Sequence, residues 1–138
     1  MISVVKNKLP VLQFFNLSGF PELFHFSTTR IGGGSTGNYS YLNLGFNSGD
    51  HSEAVIANRQ KLCLSLEINP DRLIFPKQTH TPNVKTITAG FFDLDGEAQK
   101  HSLKETDAVI TNMKGVCVAV KTADCVPVLL FDSKQKVV

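Results

Sequence analysis

Apolar residues run through this chain in short stretches broken by polar or glycine-rich segments, and their period changes along its length. Val11-Leu12-Gln13-Phe14-Phe15 and the segment from Phe24 to Thr29 are rich in aromatic and β-branched residues, as half-buried strands are, and the second is expected to end near Arg30. Gly32 to Asn38 reads as a loop, because consecutive glycines weaken the interior of a helix or strand. The pattern then becomes helical. Val55, Ile56, Arg59, Leu62, Cys63 and Leu66 recur on one helix face, with Arg59 as the polar intruder. Ser48, Asp50 and Ser52 are N-cap candidates for this helix, and Glu53 sets a negative charge against its N-terminal dipole. Asn69-Pro70 is expected to stop it.

Beyond the helix the strands shorten. Leu73-Ile74-Phe75 and Val84 to Thr88 fit the strand pattern, and Gly90 to Glu105 reads as an irregular connection. Three strands are expected in the last third, over Ala108–Thr111, Val116–Val120 and Val126–Phe131. The middle one does not alternate, which predicts burial of both faces. Pro127 cannot donate a ladder bond and belongs at a strand start or edge. Asp132 to Gln135 is a polar turn, after which Lys136-Val137-Val138 opens a further strand. A strand that stops at its third residue predicts that residues 1–138 are the N-terminal portion of one larger domain. Such a strand would leave a neighbouring sheet edge unpaired, so self-association through that edge, or local disorder near it, is expected.

Composition narrows the function classes. A length of 138 residues suits one domain or part of one, and 42% hydrophobic with 19% charged residues is ordinary for a globular chain. The net charge of +2, carried by scattered lysines and arginines, gives no footprint for nucleic acid or an anionic membrane. No apolar run approaches a spanning helix, and the first residues lack the pattern of a signal peptide. Cys63, Cys117 and Cys125 are odd in number and lack CxxC spacing, which points to a reduced, cytoplasmic protein.

Few residues carry candidate chemistry. Cys125 lies in Thr122-Ala123-Asp124-Cys125-Val126-Pro127, between two apolar runs, where strand scaffolds present functional side chains. The neighbouring Asp124 disfavours an unaided thiolate, and a bound cation would reverse that preference. The alternative for Cys125 is a small buried hydrophobe, the role expected of Cys63 and Cys117. His80, in Gln78-Thr79-His80, needs partners brought in by the fold before it can ligate a metal or move a proton. Read together, Cys125 and His80 also allow a cysteine hydrolase, with Cys125 as nucleophile and His80 as base. The glycine loop matches neither dinucleotide nor P-loop patterns, yet its amides, preceded by Arg30, could hold an anion such as phosphate. The competing reading is a plain connecting loop.

The ordered set of motifs is more specific than any one of them. Ser27-Thr28-Thr29-Arg30-Ile31-Gly32-Gly33-Gly34-Ser35, then Leu42-Asn43-Leu44-Gly45, Gly49-Asp50, Asn58-Arg59, Gln78-Thr79-His80, Asp107-Ala108 and Thr122 to Leu130 together resemble the YfiH-like, laccase-domain family. The resemblance implies an α+β fold, with mixed β-sheets in a sandwich flanked by helices. It implies phosphorolysis of adenosine, inosine, guanosine and methylthioadenosine, with purine nucleosides and phosphate as partners, and deamination of adenosine. It also implies a Cys-His-His metal cluster that takes zinc, with copper as an alternative. By motif match His80 and Cys125 are two of its ligands and are catalytic; Asp124, by adjacency alone, is a candidate for orienting a group or shuttling a proton. The third ligand is a histidine in a block expected beyond Val138, so these residues alone are expected to be inactive, a fragment serving at most as a binding module. Arg30, Gly33, Ser35 and Asn43 are the candidates for substrate and phosphate. Copper-dependent phenol oxidation through several copper sites would need more imidazoles than the four scattered histidines provide.

Overall fold

All residues from Met1 to Val138 are described by the computed structural model. They segregate into two units, Met1–Pro70 and Asp71–Val138.

In the first unit, strands β1 (Ile2–Lys6) and β2 (Leu9–Gln13) form an antiparallel hairpin, and β3 (Ser27–Thr28) pairs with the other edge of β2. Asn7 and Lys8 turn the hairpin with φ of 46° and 70°, the left-handed turn whose twist matches that of the strands. Leu9 and Val11 point inward from the central strand and are fully buried, while β1 is largely exposed. The strand expected from Phe24 to Thr29 is confined to Ser27–Thr28. His25 is buried, and its ring Nε2 sits 2.9 Å from the Phe14 amide, so a side chain makes the cross-link where a ladder bond was expected.

Helix α1 (Ser52–Leu66) follows the expected period, but its buried face is turned. Val55, Asn58, Leu62, Cys63, Ser65 and Leu66 are buried, and Ile56 stays 45% exposed. Asn58 and Ser65, not Arg59, are therefore the buried polar residues of the helix. His51 occupies the N-cap position without a side-chain cap, and Asp50 accepts instead from the His51 amide at 2.9 Å. The helix ends before Asn69-Pro70. Glu67 adopts a left-handed φ of 57°, and the amides of Glu67 and Ile68 both close on the Cys63 carbonyl. Burial pushes the Cys63 thiol above its ordinary value, which suits a structural role.

The second unit is built from parallel pairs. Strand β4 (Leu73–Ile74) pairs with β7 (Cys117–Val118), and β5 (Val84–Thr86) pairs with β6 (Ala108–Ile110). Ile74, Ile87, Phe91 and Leu103 form its core, with Phe92, Val109, Val116 and Val118 packed against them. The connection expected to be irregular holds helix α2 (Gly96–Ser102), preceded by a 3-10 turn at Ala89–Phe91. Asp95 caps α2 by accepting from the Ala98 amide at 2.8 Å. Cys117 is half-buried rather than enclosed. The strand expected over Val126–Phe131 does not form, and Val126, Val128 and Leu130 are 86%, 74% and 76% exposed. Val138 nevertheless pairs with Thr111 through two backbone bonds of 2.9 Å, as a strand opening there would. The architecture is α+β, with antiparallel and parallel pairing and two α-helices.

Candidate functional site

The segment carrying His80 is fastened by one carboxylate. Asp107, just before β6, accepts the amide protons of Thr79 (3.1 Å), His80 (3.0 Å) and Thr81 (2.9 Å), and the Thr81 hydroxyl at 3.1 Å. Three successive amides on one anion form a tight cradle, in which His80 takes a left-handed φ of 61°. That conformation costs a non-glycine residue about 1–2 kcal/mol, and the bonds to the carboxylate offset it. Donation from Thr81 first, then from Thr79 and His80, holds the Asp107 carboxyl down to about 2, against the cost of desolvation. The outcome is a rigid turn with His80 exposed at its apex.

A second clamp joins this turn to the stretch leading to Cys125. The Gln78 side chain donates to the Lys121 carbonyl at 3.0 Å and accepts from the Lys121 amide at 2.8 Å. This reciprocal pair satisfies both polar ends of the carboxamide across 43 residues of sequence. Lys121 adds a bond from Nζ to the Pro76 carbonyl at 3.0 Å. Asp124 and Cys125 follow on an exposed segment, and the Cys125 thiol is free. The sequence exposes the histidine and the cysteine as candidates, while their anchors lie in the unremarked partners of the same motifs, Gln78 and Asp107.

The candidates in the first unit divide into framework and surface. Asn58 is the hub of the glycine loop. It accepts from the Gly34 amide at 2.8 Å and donates to Ser35 Oγ (2.9 Å), the Tyr41 carbonyl (3.2 Å) and the Asn43 carbonyl (2.9 Å). Ser35 is buried and donates to Asp50 at 2.6 Å, and Asn43 donates to the same carboxylate at 3.0 Å. Gly33 leaves no room for a side chain, since a Cβ there would lie 2.0 Å from the Tyr41 carbonyl oxygen. Gly33, Ser35 and Asn43 thus shape the loop. Arg30 remains exposed, with its guanidinium donating to the Ser40 carbonyl through Nε and Nη2 and lying 5.9 Å from the Tyr41 ring centroid.

A metal can be tested against these donors. His80 and Cys125 offer an imidazole and a thiol, the right chemistry for zinc or copper. No group of three or more His, Cys, Asp or Glu side chains in the chain is placed so that it could hold a metal ion.

Comparison with known proteins places the motifs. The family model described as multi-copper polyphenol oxidoreductase laccase matches residues 24–138. The chain belongs to the YfiH-like, laccase-domain family. Among curated relatives, it is 38% identical over 135 residues to the purine nucleoside phosphorylase of Bacteroides thetaiotaomicron, covering 98% of the chain and 50% of that protein. It is 38% identical over 113 residues to adenosine deaminase RL5 of an unknown prokaryotic organism, covering 82% of the chain and 43% of that protein. Among solved structures, the YfiH protein of Bacillus licheniformis matches with a TM-score of 0.72 at 32% identity, over 81% of the chain and 42% of that structure. YlmD of Geobacillus stearothermophilus matches with a TM-score of 0.68 at 28% identity, over 80% and 41%. The chain spans about half the length of the curated relatives it matches. The description of the family model names copper.

Proposed function

We propose that the protein is a purine nucleoside phosphorylase that also deaminates adenosine, with His80 and Cys125 in its catalytic centre. The observation that supports this reading is the His80 turn. The fold fastens three consecutive backbone amides of an exposed, left-handed turn to Asp107, which holds the imidazole of a family motif toward solvent. The relatives' names supply the substrate class.

In phosphorolysis a phosphate oxygen bonds to ribose C1′ as the bond from C1′ to purine N9 breaks, and the purine takes a proton. In deamination a water oxygen bonds to C6, and the C6–N bond breaks to release ammonia. His80 would ligate a metal together with Cys125, the remaining donor coming from outside these 138 residues. Zinc in such a position lowers the pKa of water and polarises oxygen. Asp124, adjacent to Cys125, moves a proton to the leaving group. Arg30 draws phosphate through its guanidinium, and Gly33, Ser35 and Asn43 hold the loop that carries it. The expected location is the cytoplasm; no helix of the chain is long and apolar enough to cross a membrane.

The test is turnover of inosine with phosphate to hypoxanthine and ribose 1-phosphate, and of adenosine to inosine, by the metal-loaded full-length protein. Cys125→Ala should abolish both. Wild-type rates in that variant would assign Cys125 a purely structural role and overturn the proposal.

A further inference from the structure

We propose that Asp107 and Gln78 are positioning residues for catalysis, fixing the His80 turn and tying it to the stretch that bears Cys125. The inference rests on the preceding assignment of His80 and Cys125. Both clamps bear on the segment that carries the histidine. Asp107 gathers the amides of residues 79–81 from the β6 side, and Gln78 pairs with both backbone groups of Lys121, four residues before Cys125. Neither side chain is needed to fill the core formed by Ile74, Ile87, Phe91 and Leu103. What they determine is where an exposed turn stands relative to an exposed segment. A site built on such segments needs its geometry held by neighbouring hydrogen bonds, and small displacements slow chemistry more than they weaken substrate binding.

Asp107→Asn separates this role from a general structural one. The amide nearly preserves volume but replaces one acceptor oxygen with a donor, and so cannot serve the His80 amide and the Thr79 and Thr81 donors together. In the metal-loaded enzyme, kcat for inosine phosphorolysis should fall about 10- to 100-fold, the usual effect of losing a partner that orients a ligand. KM should stay within about 3-fold, because substrate binding is untouched, while the thermal midpoint falls modestly with the lost carboxylate bonds and the core stays packed. Amide hydrogen exchange should accelerate at Thr79, His80 and Thr81 and remain unchanged in the β5–β6 pair. Gln78→Ala should give the same kcat-weighted loss, with faster exchange at Lys121, and it decides the matter if Asp107→Asn does not fold. Wild-type kcat in both variants beside an inactive His80→Ala would overturn the positioning role and leave the site assignment standing. A fully active His80→Ala would overturn the assignment itself. Unchanged exchange at residues 79–81 in Asp107→Asn would overturn the clamp whatever the activity.

Discussion

At the scale of single residues, the first unit depends on polar groups that sequence patterns rank low. Asn58 was hidden within a helical run whose evident intruder was Arg59, because periodicity reports which positions recur and not which neighbour rotates inward. Its side chain makes four hydrogen bonds from a site only 1% exposed. Asn58→Ala should destabilise the protein by about 2–3 kcal/mol, since several buried partners lose their bonds at once, and urea unfolding will measure it. Asp50 adds a pH dependence. The Ser35 hydroxyl, with help from Asn43 and the His51 amide, holds its carboxyl below the ordinary value of 3.8, against the cost of desolvation. A depressed carboxyl stabilises the fold above its unfolded pKa and loses that contribution as pH falls through the folded value. Wild type should therefore exceed Asp50→Ala in urea midpoint at neutral pH, and the gap should shrink only once pH falls below 3.8. A gap that stays constant down to the acid limit would show that the ionised carboxylate does not hold the loop.

At the scale of elements, what could be read from the sequence depended on length. The period of α1 repeats over 15 residues and predicts the helix well, although not its terminal residues. Helix α2 spans seven residues, too few to establish a period, and its one local sign is Asp95 before Gly96-Glu97. That cap holds the first turn, while Glu97 and Lys100 pair at 2.7 Å on an exposed face. Asp95→Ala should cost about 1 kcal/mol and loosen α2 before the rest of its unit, visible as faster amide exchange from Ala98 to Ser102. Replacing Lys100 should have little effect, because an exposed pair of this kind contributes little. The motifs that identify the site were equally local. Gln78-Thr79-His80 and Asp107-Ala108 could be read as family blocks, but their joining through Asp107 and Lys121 is a tertiary fact, carried by bonds that span 26 to 43 residues.

At the scale of the whole molecule, the least expected feature is the apolar run near the C-terminus. Val126, Pro127, Val128, Leu129, Leu130 and Phe131 have the composition of a buried strand, but no ladder covers them and three of the four aliphatic side chains named earlier as a strand stand more than 70% exposed. Composition predicted a strand because it measures what a segment would gain by pairing, and pairing also requires a neighbour in register. Exposed backbone and apolar side chains in one segment attract others of the same kind. The 138-residue chain should therefore self-associate, with sedimentation showing species larger than the monomer whose share grows with protein concentration. Placing Lys at Val126 and Val128 together should restore the monomer without lowering the thermal midpoint, because those side chains contribute little buried area to the folded unit. A wild-type chain that sediments as a monomer at every concentration would show that the segment is covered by a rearrangement within the chain, and the two lysines should then lower the midpoint instead.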